Sequence, residues 1–386
     1  MRDKQKQYFH EILRKYNAGK ASAKEIRFLE SYYRLFEVNE DLKLDSEQII
    51  AFKDKIKFQV DQNIEQHEKS ISQKVFRYSF QHYAVAAAVL IVLSVGSYFL
   101  LKSPDSSAQL YAAARHLAPG GNIATLTLAD GSKISLTGSL NGKLATQSGI
   151  SITKTKDGQL IYTVEKTSSS PNTVFYNTLE TPKGGQYQVV LPDGTNVWLN
   201  AASALRYPTA FTATTRDVQL EGEAYFEVAK NPDKPFRVMG HGQVVEVLGT
   251  HFNISSYRDE PGIKTTLLEG SVRVLNTTLS TVALLKPGQQ SNITSGGKIQ
   301  ITNVDPEEFI AWKNGKFIFT DANIKSIMRQ VSRWYNVDVE YRGKITNEKF
   351  GGRTSRFTNV AELLEILQLT DQVHFEVQGR RIIVMP

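Results

Sequence analysis

Residues Tyr83 to Leu101 (YAVAAAVLIVLSVGSYFLL) carry no charge over 19 positions. At about 1.5 Å of rise per residue, a helix of that length covers about 28 Å, close to the hydrocarbon thickness of a bilayer. The stretch predicts one transmembrane helix. A secretory signal would begin near the first residue and have a shorter apolar core, whereas 82 charged and patterned residues come first here. A helix buried in a soluble core is the plainer alternative.

Composition changes at this stretch. No proline precedes Pro104, and Gly19 and Gly96 are the only glycines of the first hundred residues, while both types are frequent afterwards. That contrast predicts helices before the span and strands after it. Lys69, Lys74 and Arg77 precede the span closely, against Lys102 and Arg115 behind it, a slight positive-inside bias that places the N-terminus in the cytoplasm. The net charge of +7 splits into +3 before the span and +4 beyond it, so neither side carries the concentrated basic footprint of a nucleic-acid binder. With no cysteine, disulfides, thiolate metal sites and a cysteine nucleophile are excluded.

In residues 1–82, Phe9, Ile12, Leu13 and Tyr16 recur at helical spacing, and so do Ile26, Leu29, Tyr32, Tyr33 and Phe36 after a break at Asn17 to Ala21. This reads as a helical hairpin. Asp45 with Gln48 resembles a capping box for a longer helix striped by Ile49, Phe52, Ile56, Val60 and Ile64. Three such helices make a small core, so these stripes either pack on one another or on a second chain.

Past a polar linker around Ser103 to Gln109, the pattern becomes period two. It is broken by Asp130-Gly131, Asn141-Gly142, Asp157-Gly158, Asp193-Gly194 and Asn314-Gly315, dipeptides that supply the positive φ of tight hairpins. An internal repeat runs at an offset of 63: Pro119, Gly121, Leu128, Asp130, Gly131, Ser132, Ile134 and Leu136 match Pro182, Gly184, Leu191, Asp193, Gly194, Thr195, Val197 and Leu199. A duplicated β unit predicts an antiparallel sandwich or roll over residues 109–302. Residues 312–386 differ. A strand at Phe317 to Phe319, a helix face of Ile324, Ile327, Met328, Val331 and Tyr335, and a strand at Val337 to Tyr341 precede a second helix capped by Asn359 with Glu362. Strands at His374 to Val377 and Ile382 to Val384 complete a small α+β domain with outer strand edges open to pairing.

No arrangement of residues stands out as catalytic. Glu221, Glu223 and Glu227 alternate with Leu220, Gly222, Ala224, Phe226 and Val228 along one strand. Two of these carboxylates could serve a glycosidase, but with no partner nearby in sequence they read as a solvated strand face. His241 and His251 lack metal-ligand spacing, and Ser203, Ser255 and Ser271 lie outside any nucleophile elbow. The glycine pairs Gly120-Gly121 and Gly184-Gly185 lead into strands, so they read as turns and not as phosphate loops. Trp198, Trp312 and Trp334 read as core or interface anchors before a sugar platform. Within the span, Ser94, Gly96 and Ser97 suit helix packing and also loosen a helix for an intramembrane protease.

The β region's wording resembles the FecR family of sigma-factor regulators. The likeness rests on Arg216, Val218 and Leu220, then Gly222, Glu223, Ala224, Tyr225, Phe226, Glu227 and Val228, then Lys234-Pro235-Phe236. It continues through Gly249, Thr250, Phe252 and Asn253, the run TTLLEGSV containing Glu269 and Gly270, and Pro287-Gly288-Gln289. The C-terminal unit is similar in architecture to the STN-like signalling domain of TonB-dependent transducers. The resemblance implies an inner-membrane, single-pass anti-sigma factor without cofactor or enzymatic activity, its N-terminus cytoplasmic and its C-terminal region periplasmic. Its implied partners are an extracytoplasmic-function sigma factor, the signalling domain of a TonB-dependent outer-membrane receptor serving iron or glycan uptake, and site-1 and site-2 type proteases that release the cytoplasmic piece. On that reading Phe9, Ile12, Leu13, Tyr16, Ile26, Leu29, Tyr33 and Phe36 form the sigma-factor interface. The N-terminal segment departs from many members in having no tryptophan. The rival reading is a membrane-anchored periplasmic module that binds a glycan or nutrient, with Trp198 as a contact.

Overall fold

The structure, a computed structural model, describes residues 12, 14–16, 19–22, 25–26, 106–137, 141–147, 150–156, 158–164, 174–294 and 296–386. The expected span at 83–101 lies outside the described residues, as do the helix from Asp45 and the apolar residues Phe9, Leu13, Leu29, Tyr33 and Phe36. Among the described residues no helix is long and apolar enough to cross a membrane. The chain divides into two compact units, Met1–Gln109 and Leu110–Pro386.

In the first unit the expected hairpin break is built from paired capping motifs. Lys20 N–H donates to Lys15 C=O and Gly19 N–H to Tyr16 C=O, the two bonds that close a helix around a left-handed glycine, here at φ +64°. The chain restarts at Ser22. Its Oγ accepts from Glu25 N–H (3.3 Å), and the Glu25 carboxylate accepts from Ser22 N–H (2.7 Å), a reciprocal capping box. The bond from Ser22 N–H, a second from Ser22 Oγ–H (2.7 Å) and Lys15 at 3.1 Å hold the Glu25 carboxyl down at about 2. Ile12 is buried, Ile26 half-buried and Tyr16 exposed.

A helix, α1 (Ser106–Ala114), stands where a polar linker was expected, and its residues from Leu110 onward open the second unit. Alanine-rich sequence favours the helix, and Leu110, Ala114 and the following Leu117 give it an apolar face to bury. Among the described residues nineteen strands follow: β1 (Gly121–Asn122), β2 (Thr125–Thr127), β3 (Lys133–Ser135), β4 (Gly142–Gln147), β5 (Ile150–Lys154), β6 (Leu160–Val164), β7 (Tyr176–Thr181), β8 (Gly185–Val190), β9 (Asn196–Leu199), β10 (Ser203–Pro208), β11 (Arg216–Glu227), β12 (Phe236–Gly240), β13 (Gln243–Val247), β14 (His251–Ser256), β15 (Gly262–Glu269), β16 (Val272–Asn276), β17 (Thr281–Leu285), β18 (Gln289–Thr294) and β19 (Ile299–Asn303).

They form two sheets that share β11. Its first half pairs with β10 and β12, its second with β9 and β14, and Gly222 stands at the crossing with φ +86°. A Cβ there would come within 2.4 Å of Ser203 Oγ and 2.8 Å of Ala202 C=O, so only glycine fits. One sheet runs β3-β2-β7-β10-β11-β12-β13-β16-β17 and the other β4-β5-β6-β8-β9-β11-β14-β15-β18-β19, with β1 paired to the start of β8. The core between them takes the inward residues of both, including Leu220, Ala224 and Phe226, with Phe226 stacked 5.0 Å from its cross-strand neighbour Phe252. The sandwich expectation holds with one correction: β11–β12, β6–β8 and β1–β8 are parallel. For β11–β12 the cause is the crossing strand, because a chain that leaves a sheet midway must return over the far end and re-enter in the same direction. The buried guanidinium of Arg216 clamps that return loop, donating to Lys234 C=O (2.8 Å), Ala229 C=O (2.8 Å) and Asp193 (2.7 Å).

The sequence repeat is a structural one. In both copies the leucine N–H donates to the Ser132 or Thr195 C=O at 2.8 Å, the glycine N–H donates back at 2.9 Å, and Asp130 or Asp193 accepts from the N–H of Ser132 or Thr195, two residues on. Gly131 and Gly194 share φ values of +85° and +86°.

The C-terminal part comprises α2 (Pro306–Ile310), β20 (Lys316–Asn323), α3 (Ile324–Tyr335), β21 (Asp338–Tyr341), β22 (Lys349–Ser355), α4 (Val360–Gln368), β23 (His374–Gln378) and β24 (Arg381–Met385). β20 pairs with β22, and a separate sheet runs β21-β24-β23. Asn323 and Asn359 cap α3 and α4, and Asn336 closes α3 in the left-handed region. The helix faces read from the sequence are buried in a second core with Phe317, Phe375, Ile382 and Val384, and Leu110, Ala114 and Leu117 of the α1 segment join this core rather than that of the sandwich.

Candidate functional site

The outer face of the second sheet is covered over its middle strands. Register aligns Gln188, Trp198, Tyr225, Asn253, Thr266 and Gln290 in one row across β8, β9, β11, β14, β15 and β18, and the C-terminal part lies on that row. Of the three glutamates expected on a solvated face, Glu221 alone is exposed, paired with Arg258 at 3.4 Å. Glu227 binds Lys313 (3.3 Å), whose ammonium lies 4.3 Å from the Trp198 ring and 4.5 Å from that of Tyr225. Glu223 sits at the centre of a polar network. Strand alternation predicted the direction of these side chains correctly, but not that another layer would cover Glu223 and Glu227.

Glu223 accepts from Asn200 Nδ2 (2.7 Å) and Asn253 Nδ2 (3.0 Å). Each asparagine is oriented by a group that can only donate: Arg356 Nη2 reaches Asn200 Oδ1 (2.9 Å), and Trp312 Nε1 reaches Asn253 Oδ1 (3.2 Å). Arg356 closes the ring by donating to Trp312 C=O (2.9 Å), with its guanidinium 3.8 Å over Trp334. Burial raises the Glu223 carboxyl above its usual range, against the pull of both asparagines and of Arg333 and Arg356. Burial likewise lowers Arg356 to about 10.

A second grip lies beside it. Arg329 and Arg333, one turn apart on α3, hold the Asp259-Glu260 turn between β14 and β15: Arg333 at 2.7 and 2.8 Å, Arg329 at 2.5 Å. Arg333 stacks 3.8 Å over Tyr257, whose hydroxyl donates to Ala201 C=O (2.7 Å). The repeat turns complete the junction, since Gly184 N–H donates to Arg333 C=O (2.7 Å) and Gly120 packs against Trp334. The arrangement binds two folded parts to each other. Among the described residues no cluster of side chains is suited to hold a metal.

Residues 177–273 match the model of the family described as FecR protein, and residues 316–384 that described as FecR, C-terminal. Two crystal structures of a "putative anti-sigma factor" from Parabacteroides distasonis ATCC 8503, at 1.65 and 2.50 Å resolution, are similar to this chain. They share 30% and 29% identity at a TM-score of 0.51, covering 54% of this chain and 97% and 98% of theirs. The chain belongs to the FecR family. No curated protein matches it.

The FecR motif residues divide by role in the structure. Gly222 permits the sheet crossing, Ala224, Phe226 and Phe252 fill the core, and Thr250 ties the β14 entrance to Ser271 C=O (3.1 Å). Glu223, Tyr225 and Asn253 face the junction. Gly249 lies against Lys230, Gly270 packs on Thr250, and Glu269 is exposed beside His251 (3.2 Å). Sequence reasoning missed Asn200, Arg333 and Arg356. A usable signal was present for one of them: Arg329 and Arg333 at i, i+4 mirror the adjacent acids Asp259-Glu260.

Proposed function

We propose that this FecR-family chain is an anti-sigma regulator of the inner membrane. Residues 1–82 hold an extracytoplasmic-function sigma factor in the cytoplasm, residues 83–101 span the membrane, and Leu110–Pro386 stands in the periplasm as the receiver of a TonB-dependent receptor's signalling domain. The observation that carries this reading is the 30% identity over 97% of a protein described as an anti-sigma factor. The fold supports the relay. The chain following the proposed span enters α1, whose Leu110 and Ala114 belong to the C-terminal core. Asn359 Nδ2 holds Ala114 C=O (3.3 Å), and the His116 ring meets Gly379 C=O (3.0 Å). A partner that adds a strand to the β21-β24-β23 sheet therefore acts on the element that grips the juxtamembrane helix. Stepwise cleavage outside and then within the membrane would release residues 1–82 with the sigma factor.

The test is co-purification of residues 1–82 with any extracytoplasmic-function sigma factor encoded beside this gene, combined with a regulon reporter. Binding, together with loss of induction on deleting Trp312–Pro386, is the expected result. Absence of any sigma-factor complex and an unchanged regulon in the full deletion would refute the reading.

A further inference from the structure

The polar row on the second sheet continues past the edge of the C-terminal part, and there it lines an open cleft of about 180 Å³. Asn122, Gln159, Gln186 and Gln188 supply its polar wall, and Trp198 and Trp312 its aromatic one. The amides are arranged in two pairs, Gln159 Nε2 to Gln188 Oε1 (3.1 Å) and Gln186 Nε2 to Asn122 Oδ1 (3.4 Å), while Gln186 Oε1 is enclosed without a partner. The cation at the rim, Lys313, is neutralised by Glu227 at 3.3 Å.

We infer that this cleft is a binding site for a neutral saccharide unit. Side-chain amides both donate and accept, as sugar hydroxyls do, and an indole offers an apolar face to a pyranose ring. The volume lies below the ~300–1,000 Å³ of sites for drug-sized ligands, which fits one ring or the end of a chain. Charge decides against an anionic ligand, because Lys313 is already paired. Topology decides against an added peptide strand: β8 and β9 lie inside the sheet between β6 and β11 and offer no free edge. This site does not depend on the anti-sigma reading.

The chain has three tryptophans, two of them in the cleft, so intrinsic fluorescence reports on it directly. The full chain, held in a detergent without a sugar head group, is titrated with glucose, galactose, N-acetylglucosamine and their β-linked disaccharides into the millimolar range. Glucuronate and an extended peptide serve as comparisons. A saturable emission change with a neutral sugar, weakened about tenfold or more by Gln186→Ala or Gln188→Ala, is expected, one lost hydrogen-bonding group being worth about that factor. Saturation-transfer NMR on the unaltered chain gives the same answer independently of variant folding. No saturable response to any neutral sugar, a response indifferent to both variants, or selective binding of glucuronate or the peptide would overturn the assignment.

Discussion

Glu223 shows how one residue's chemistry fixes a junction. Asn200 and Asn253 each turn an oxygen to a donor-only group, so both must turn a nitrogen toward Glu223, which has to accept twice. A carboxylate does so. Glutamine has the same shape but one accepting atom, and flipping either asparagine would set a donor against Arg356 or Trp312. Glu223→Gln is therefore expected to destabilise Leu110–Pro386 by about 1–3 kcal/mol, read as a lowered thermal midpoint; an unchanged midpoint would show the network to be loose. Glu25 has a pH signature. Its folded pKa of about 2 lies below the ordinary value of 4.5, so the contribution of its capping box is complete above about pH 4.5 and lost as pH falls toward 2. Carboxyl NMR titration checks this, and a midpoint near 4.5 would mean the box does not form. Ser22 and Glu25 spell that box in the sequence, three residues apart ahead of Ile26.

Among elements, β11 decides the architecture, and it depends on two residues of the motif run. Gly222 lets the strand pass between sheets, and Arg216 secures the loop that returns. Lysine has neither the planar fork nor the reach to serve Asp193 and two carbonyls together. Arg216→Lys keeps the charge beside Asp193 but leaves buried carbonyls without their donors, and should cost about 1–3 kcal/mol, with a matching fall in the urea midpoint. A shift below about 1 kcal/mol would show the clamp to be dispensable. The alternation of β11 was legible because every second residue, Leu220 to Val228, is apolar. Its parallel neighbour was not, since period two fixes which face a residue takes but says nothing of which strand lies alongside.

At the scale of Leu110–Pro386, two cores meet through Trp312, Arg333 and Arg356, with much of the contact polar and buried. Calorimetry should record one transition for this unit. Trp312→Ala combined with Arg333→Ala should split it in two; a wild type that already melts in two steps would show the parts to be independent. The sequence by itself determined the helix faces, the turns and the duplicated hairpin, because these depend on neighbours within a few residues. It also carried the motif run that resembles FecR. Tertiary structure alone decided that Glu223 is covered, that α1 belongs to the C-terminal core, and that Arg356 completes a ring with Asn200, 156 positions away. An outward side chain on a strand has the same local pattern whether water or another layer faces it, and only the packed chain supplies that layer.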